Sequence, residues 1–142
     1  MTGSTRAALY SPPLLALAVE LADYPFDPSA PCLGEANSRT CGSSIRMSFA
    51  GDMRDIGVKV SACAVGQASA AIFVRHCLGK SEAELADFLA QIESWLGGNA
   101  NLPNWPDIHL IEPARDYPGR HGAILLPWKA ALAALSNGAD RR

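Results

Sequence analysis

Between Ser44 and Val60 the chain alternates hydrophobic and polar residues with a period of two. Ile45, Met47 and Phe49 are separated by Arg46 and Ser48, and Ile56, Val58 and Val60 by Gly57 and Lys59. Successive side chains of a strand point to opposite faces, so this pattern predicts two strands with one buried face. Gly51-Asp52 supplies the turn that makes them a hairpin. A short strand through Ala36–Thr40 is expected beside it. Elsewhere the period is helical. Leu14, Leu17, Ala18 and Leu21 recur at i, i+3, i+4 and i+7, behind a Ser11 cap and two prolines suited to a first helical turn. Leu85, Phe88, Leu89, Ile92 and Leu96 form a second stripe, opened by the S-x-x-E capping box of Ser81 and Glu84 and closed by Gly97-Gly98.

The remaining segments are read from small residues and chain breakers. Tyr24-Pro25 ends the first helix, and Phe26 to Asn37, rich in proline, is expected as a constrained loop. After Cys63 the run Gly66, Ala68, Ser69, Ala70, Ala71, Ile72, Phe73 predicts a helix packed close to another backbone, with Gly79 as its stop. Asn99–Pro106 reads as a loop and Asp107–Ala114 as a short helix. The last helix is expected to begin near Ala123 or Ile124. That start would keep Pro127 in the first turn, where its missing N–H costs nothing. Leu125, Trp128, Leu132 and Leu135 then form its buried face, and residues Asn137–Arg142 read as a loose end. Helices on one side of a small antiparallel sheet of about three strands make an α+β fold. One domain is expected over residues 1–142, with its core over about 9–135.

Composition narrows the function. The chain has 142 residues, 49% of them hydrophobic and 18% charged, with a formal net charge of −2. That is an ordinary globular composition, large enough to bury a core without staples. There is no basic surplus to neutralise phosphates, so no nucleic-acid partner is expected. No apolar stretch reaches the roughly 20 residues that span a bilayer. Arg6 ahead of Leu14–Leu17 imitates a signal peptide, but Glu20 and Asp23 interrupt the run and no small-residue cleavage site follows. No membrane partner is expected, and the predicted location is cytoplasmic.

The chemistry centres on thiols. Cys32, Cys41, Cys63 and Cys77 show neither CxxC nor zinc-finger spacing, and a reducing cytosol disfavours disulfides. Cys41 lies in the turn Thr40-Cys41-Gly42-Ser43 that leads into the hairpin, and Cys63 in Ser61-Ala62-Cys63-Ala64-Val65-Gly66 that leaves it. Antiparallel neighbours place both at the same end of the sheet. Thiolates are natural ligands for iron, zinc and transferred sulfur. The Gly42 N–H is a candidate hydrogen-bond donor to the sulfur. His121, in Pro118-Gly119-Arg120-His121-Gly122-Ala123, is a candidate third ligand against the simpler reading of a solvated loop histidine. Cys32 is another candidate against an incidental loop thiol, and Cys77 is assigned no role. His76, His109 and His121 show no metal-ligand spacing. No nucleophile–base motif, phosphate-binding glycine loop or motif-placed carboxylate pair is present, so the chain is not expected to be an enzyme.

In order and setting these turns resemble the IscU/SufU/NifU N-terminal family of iron–sulfur cluster assembly scaffolds. Thr40-Cys41-Gly42-Ser43 is similar to the family's C-G-D turn. Cys63-Ala64-Val65-Gly66-Gln67-Ala68-Ser69-Ala70 is similar to the C-x-I-S-x-A-S-A run of the SufU branch. Pro118-Gly119-Arg120-His121-Gly122-Ala123, continuing to Trp128-Lys129-Ala130, is similar to P-x-R-x-x-C followed by W-K-A. Leu9-Tyr10 matches the family's N-terminal helix, and the likeness runs to Leu135. The resemblance implies a scaffold that binds iron or a [2Fe–2S] cluster through Cys41 and Cys63, with zinc as another metal. It implies a cysteine desulfurase as sulfur donor, apo iron–sulfur proteins as recipients, and a homodimer as one way to assemble four thiolates. The chain departs from the family at two ligand positions: Ser43 stands where the aspartate is expected and Ala123 where the third cysteine is expected. Two further readings follow, a thiol- or zinc-based sulfur acceptor for the desulfurase, and a non-metal-binding interaction module of the assembly machinery.

Overall fold

The structure, a computed structural model, describes residues 11–140; Leu9-Tyr10 and the two terminal arginines lie outside them. Ser11 stands in extended conformation ahead of α1 (Pro12–Glu20), with prolines at the first helical positions. Its hydroxyl makes no capping bond, so the prolines set this helix start. Leu14 and Leu17 turn inward. A single 3-10 turn, Leu21–Asp23, follows and leads to Tyr24-Pro25.

The sheet has three antiparallel strands in the order β1 (Cys32–Ser38), β2 (Ser43–Ala50), β3 (Arg54–Ser61). The hairpin alternation holds at Ile45, Met47 and Phe49, which are buried, and at Arg46, which is exposed; Ser48, expected to face outward, is also buried, where its hydroxyl accepts from the Asp27 N–H at 2.9 Å. Strand β1 is longer and earlier than Ala36–Thr40, because the prolines stop at Pro31 and every residue from Cys32 onward pairs with β2. The segment after the 3-10 turn runs along the outer edge of β3. There the Tyr24 carbonyl accepts from the Val58 N–H at 2.9 Å, and Pro25 bridges Val58 in parallel. A Cβ on Gly57 would lie 2.1 Å from the Pro25 carbonyl oxygen, so only glycine lets the two backbones meet.

Three helices complete the layer. Helix α2 (Ala64–His76) leaves β3 through Cys63. Helix α3 (Glu82–Leu96) opens on the expected capping box, Ser81 N–H to Glu84 at 3.0 Å and Glu84 N–H to Ser81 at 3.1 Å. Helix α4 (Pro118–Asp140) starts five residues ahead of the expected point and continues past Asn137. Pro118 takes its first position, so Pro127 falls in the helix interior and leaves the Ala123 carbonyl without its usual donor. The next carbonyl, Ile124, accepts from the buried Ser69 hydroxyl of α2 at 2.7 Å. Residues Ile108–Asp116 form a 3-10 helix with Pro113 inside it, where a short α-helix over Asp107–Ala114 was expected.

Helix α4 packs chiefly on β1. A Cβ on Gly34 would lie 2.3 Å from the Ala130 carbonyl oxygen and 2.7 Å from the Ala134 Cβ. Contact this close explains why the buried side of α4 is lined by Ala123, Ala130, Ala131 and Ala134 with Ile124 and Trp128, while the expected Leu125, Leu132 and Leu135 are only half-buried. Behind it lies an aromatic cluster. Phe73 stacks on Trp105 at 5.2 Å and meets Trp128 edge-on at 5.3 Å. Trp105 comes from the Asn99–Pro106 loop and donates from its indole nitrogen to the Ile72 carbonyl at 3.0 Å.

Two stability outcomes are expected. Gly34→Ala should destabilise the fold by about 1–3 kcal/mol, because the added methyl overlaps backbone that cannot yield. Ser69→Ala should cost about 0.5–1.5 kcal/mol by removing its buried hydrogen bond to the Ile124 carbonyl. Urea unfolding monitored by tryptophan fluorescence checks both.

Candidate functional site

The tight turn between β1 and β2 places Cys41. Ser38 pairs with Ser43 across it, and Gly42 takes a φ of +67°, a conformation glycine adopts without cost. Ser44 of β2 pairs with Ser61 of β3 at the same end of the sheet, and two residues later Cys63 forms the N-cap of α2. The expectation that Cys41 and Cys63 leave the sheet at one end therefore holds. Helix α4 joins them there. Its Ala123 N–H faces the Cys41 sulfur. A Cβ on Gly66, in the first turn of α2, would lie 3.1 Å from the Ala123 Cβ. A Cβ on Gly122 would lie 2.2 Å from the Ser38 hydroxyl oxygen. Sheet end, α2 and α4 thus close on one another through residues with little or no side chain.

Cys41 is half-buried in a cradle of hydroxyls. Its Sγ lies 3.4 Å from Ser38 Oγ and 3.2 Å from Ser43 Oγ, and Ser38 and Ser43 are both buried. The neutral thiol can donate to Ser38; once ionised, it accepts from both. Burial pushes this thiol up. The Ser38 and Ser43 hydroxyls and the Ser43 and Ala123 N–H groups outweigh burial and hold it below the ordinary thiol value. The main-chain donors that act on the sulfur are thus those of Ser43 and Ala123, in place of the expected Gly42. Ser38 was missed altogether: a lone serine three residues before a cysteine carries no motif.

The other candidates are distributed elsewhere. The His121 ring sits in the first turn of α4 and donates from Nε2 to the Arg115 carbonyl at 2.8 Å. Cys32 is the first residue of β1, paired with Phe49, and not a loop thiol. Six residues of strand separate it from Ser38, about 20 Å, so it lies at the far end of the sheet from Cys41. Cys77 caps the end of α2, buried, and burial pushes its thiol up to about 12. Ala123 is buried and brings no donor side chain. Among the described residues no three His, Cys, Asp or Glu side chains are grouped where a metal ion could sit.

Two solved structures share this architecture. A nitrogen-fixing NifU-like protein (N-terminal) from Brucella abortus superposes with a TM-score of 0.82 at 24% identity, over 97% of this chain and 99% of that one. A SUF-system protein from thermophilic Fervidobacterium islandicum, assigned as an iron–sulfur cluster assembly scaffold, superposes with a TM-score of 0.75 at 24% identity, over 89% of this chain and 96% of that one. This chain shares their fold. No family model matches the sequence, and no curated protein matches it. Among the described residues no helix is long and apolar enough to cross a membrane.

Site-resolved alkylation with iodoacetamide checks the hydroxyl cradle. Cys41 should react at a lower pH than an ordinary thiol, and Ser43→Ala should move its midpoint upward, since a donor to the thiolate is lost. Cys77 should stay unmodified throughout the neutral range.

Proposed function

We propose that this protein is an iron–sulfur cluster assembly scaffold or carrier that takes iron or a [2Fe–2S] cluster as cargo on the thiolates of Cys41 and Cys63. One observation carries the reading. The Cys41 sulfur is held by two buried hydroxyls and faces the Ala123 N–H, at the end of the sheet where β3 delivers Cys63. The NifU-like protein and the SUF-system scaffold protein that share the fold support it. Cargo iron would meet soft thiolate ligands in a site whose hydroxyl and N–H donors favour the anionic form of sulfur. A cysteine desulfurase would supply sulfur and apo iron–sulfur proteins would receive the product, in the cytoplasm. No catalytic residue is assigned.

The cradle also favours a second reading, Cys41 as a sulfur acceptor. Its thiolate would attack the outer sulfur of a desulfurase persulfide. The new Cys41–sulfur bond forms as the donor's sulfur–sulfur bond breaks, and the donor cysteine leaves as a thiolate.

Two anaerobic incubations separate the readings, one with ferric iron and sulfide and one with a cysteine desulfurase and free cysteine. The scaffold reading expects visible charge-transfer absorbance that is lost in Cys63→Ser. A colourless wild-type product overturns it. A colourless iron-and-sulfide product, together with sulfane sulfur on Cys41 after the desulfurase incubation, selects the acceptor reading.

A further inference from the structure

The C-terminal half of α3 and the loop that follows it enclose a cleft of about 450 Å³, a size that suits a small ligand or a short stretch of chain. Ala90, Gln91 and Ser94 of α3 form one wall, and Asn99, Asn101, Leu102 and Asn104 form the other. Among the described residues this lining carries no charge and no aromatic ring. Four of its side chains are carboxamides and one is a hydroxyl.

Two of the carboxamides hold the walls in place. Gln91 Oε1 accepts from the Asn104 N–H at 3.2 Å, and its Nε2 donates to Asp87 at 2.8 Å. Asn99 Nδ2 donates to the Ser94 hydroxyl at 3.1 Å, and its Oδ1 accepts from the Asn101 N–H at 2.9 Å. Behind the loop, Arg115 donates to the Asn99 carbonyl at 3.0 Å and to the Trp95 carbonyl at 2.9 Å. Its guanidinium also lies 5.0 Å from the centre of the Trp95 ring. The cleft is thus formed in advance, and a ligand has little ordering to impose.

The other two carboxamides, those of Asn101 and Asn104, are exposed, and neither has a hydrogen-bond partner among the described residues. Leu102 between them is 45% exposed. A carboxamide presents a donor and an acceptor side by side, as a peptide unit does, so it can pair with main chain through both at once. Main-chain hydrogen bonds beside a contact for one apolar side chain are how extended peptides are recognised. The uncharged walls offer nothing to a terminal carboxylate or ammonium, which favours the interior of a segment over its end. A sugar ring would find no flat platform, since the neighbouring Trp95 and Trp105 are both buried.

We infer that this cleft docks an extended, uncharged segment of another polypeptide. The carboxamides of Asn101 and Asn104 pair with its main chain, and one apolar side chain rests on Leu102. The site uses none of the thiol-end residues and stands whether or not they carry iron or sulfur.

The test is titration of the isotope-labelled full chain with a serine-leucine-serine peptide, acetylated and amidated so that it carries no charge. The main-chain and side-chain amide signals are followed by two-dimensional NMR. Saturable shifts are expected at Gln91, Asn99, Asn101 and Asn104, with the thiol-end signals unmoved. Asn101→Ala combined with Asn104→Ala should weaken binding about tenfold, with circular dichroism unchanged, since two exposed donor–acceptor groups are lost. Leu102→Ser should erase the advantage of this peptide over its serine-alanine-serine counterpart. The absence of saturable shifts at the cleft overturns the inference, as does affinity unaltered in the double variant. Saturable shifts with maltose and none with the peptide overturn it in favour of a carbohydrate. Tighter binding of the same peptide with free, charged ends overturns the assignment to the interior of a segment.

Discussion

The structure depends on how closely α4 lies against everything else. Gly34 lets the helix backbone settle on β1, Gly122 lets its first turns settle on Ser38, and Gly66 lets α2 come against Ala123. At these three points even a methyl would overlap a neighbouring atom, so the helix has little freedom to slide or tilt there. That rigidity is what holds the Ala123 N–H against the Cys41 sulfur. Each of the three contacts is a few ångströms from a residue of the site or in the same element, so packing and chemistry share one set of constraints.

The Ser69–Ile124 hydrogen bond belongs to the same scheme. A proline in the middle of a helix leaves the carbonyl four residues before it, here Ala123, without its helical donor. At the next carbonyl, Ile124, a neighbouring helix reaches across with the buried Ser69 hydroxyl. The proline, the serine and the small residues between them therefore act as one joint between α2 and α4, immediately behind the thiols.

Much of the fold was legible in the sequence because its signals were local. The alternation at Ile45–Phe49 and Ile56–Val60, the Ser81–Glu84 box and the Ala/Ser-rich run after Cys63 each report a short-range preference that the tertiary structure keeps. What stayed hidden depended on contacts distant in sequence. The sequence from Cys32 to Asn37 looks like loop until β2 is available to pair with it. Residues 118–122 contain two glycines and a proline; Pro118 takes the first helical position and Gly122 packs on Ser38, a contact distant in sequence. The leucines of α4 were taken as its inner face because size usually marks burial, whereas close approach here selects alanine. At the site, the two cysteines were found from their turns. The Ser38 hydroxyl and the Ala123 N–H were not, since a main-chain donor has no residue type to betray it and a serine has too many uses.

A three-stranded sheet has two outer strands, and unpaired outer strands are templates on which other chains can add. On one of them this protein spends a proline-containing segment: Tyr24 and Pro25 occupy Val58, and Gly57 is a glycine so that they can. The backbone groups that would otherwise recruit a neighbouring strand at that point are already used. The covered edge guards the sheet against fibrillar growth from β3, a property as relevant to the chain's survival at high concentration as its core is to folding.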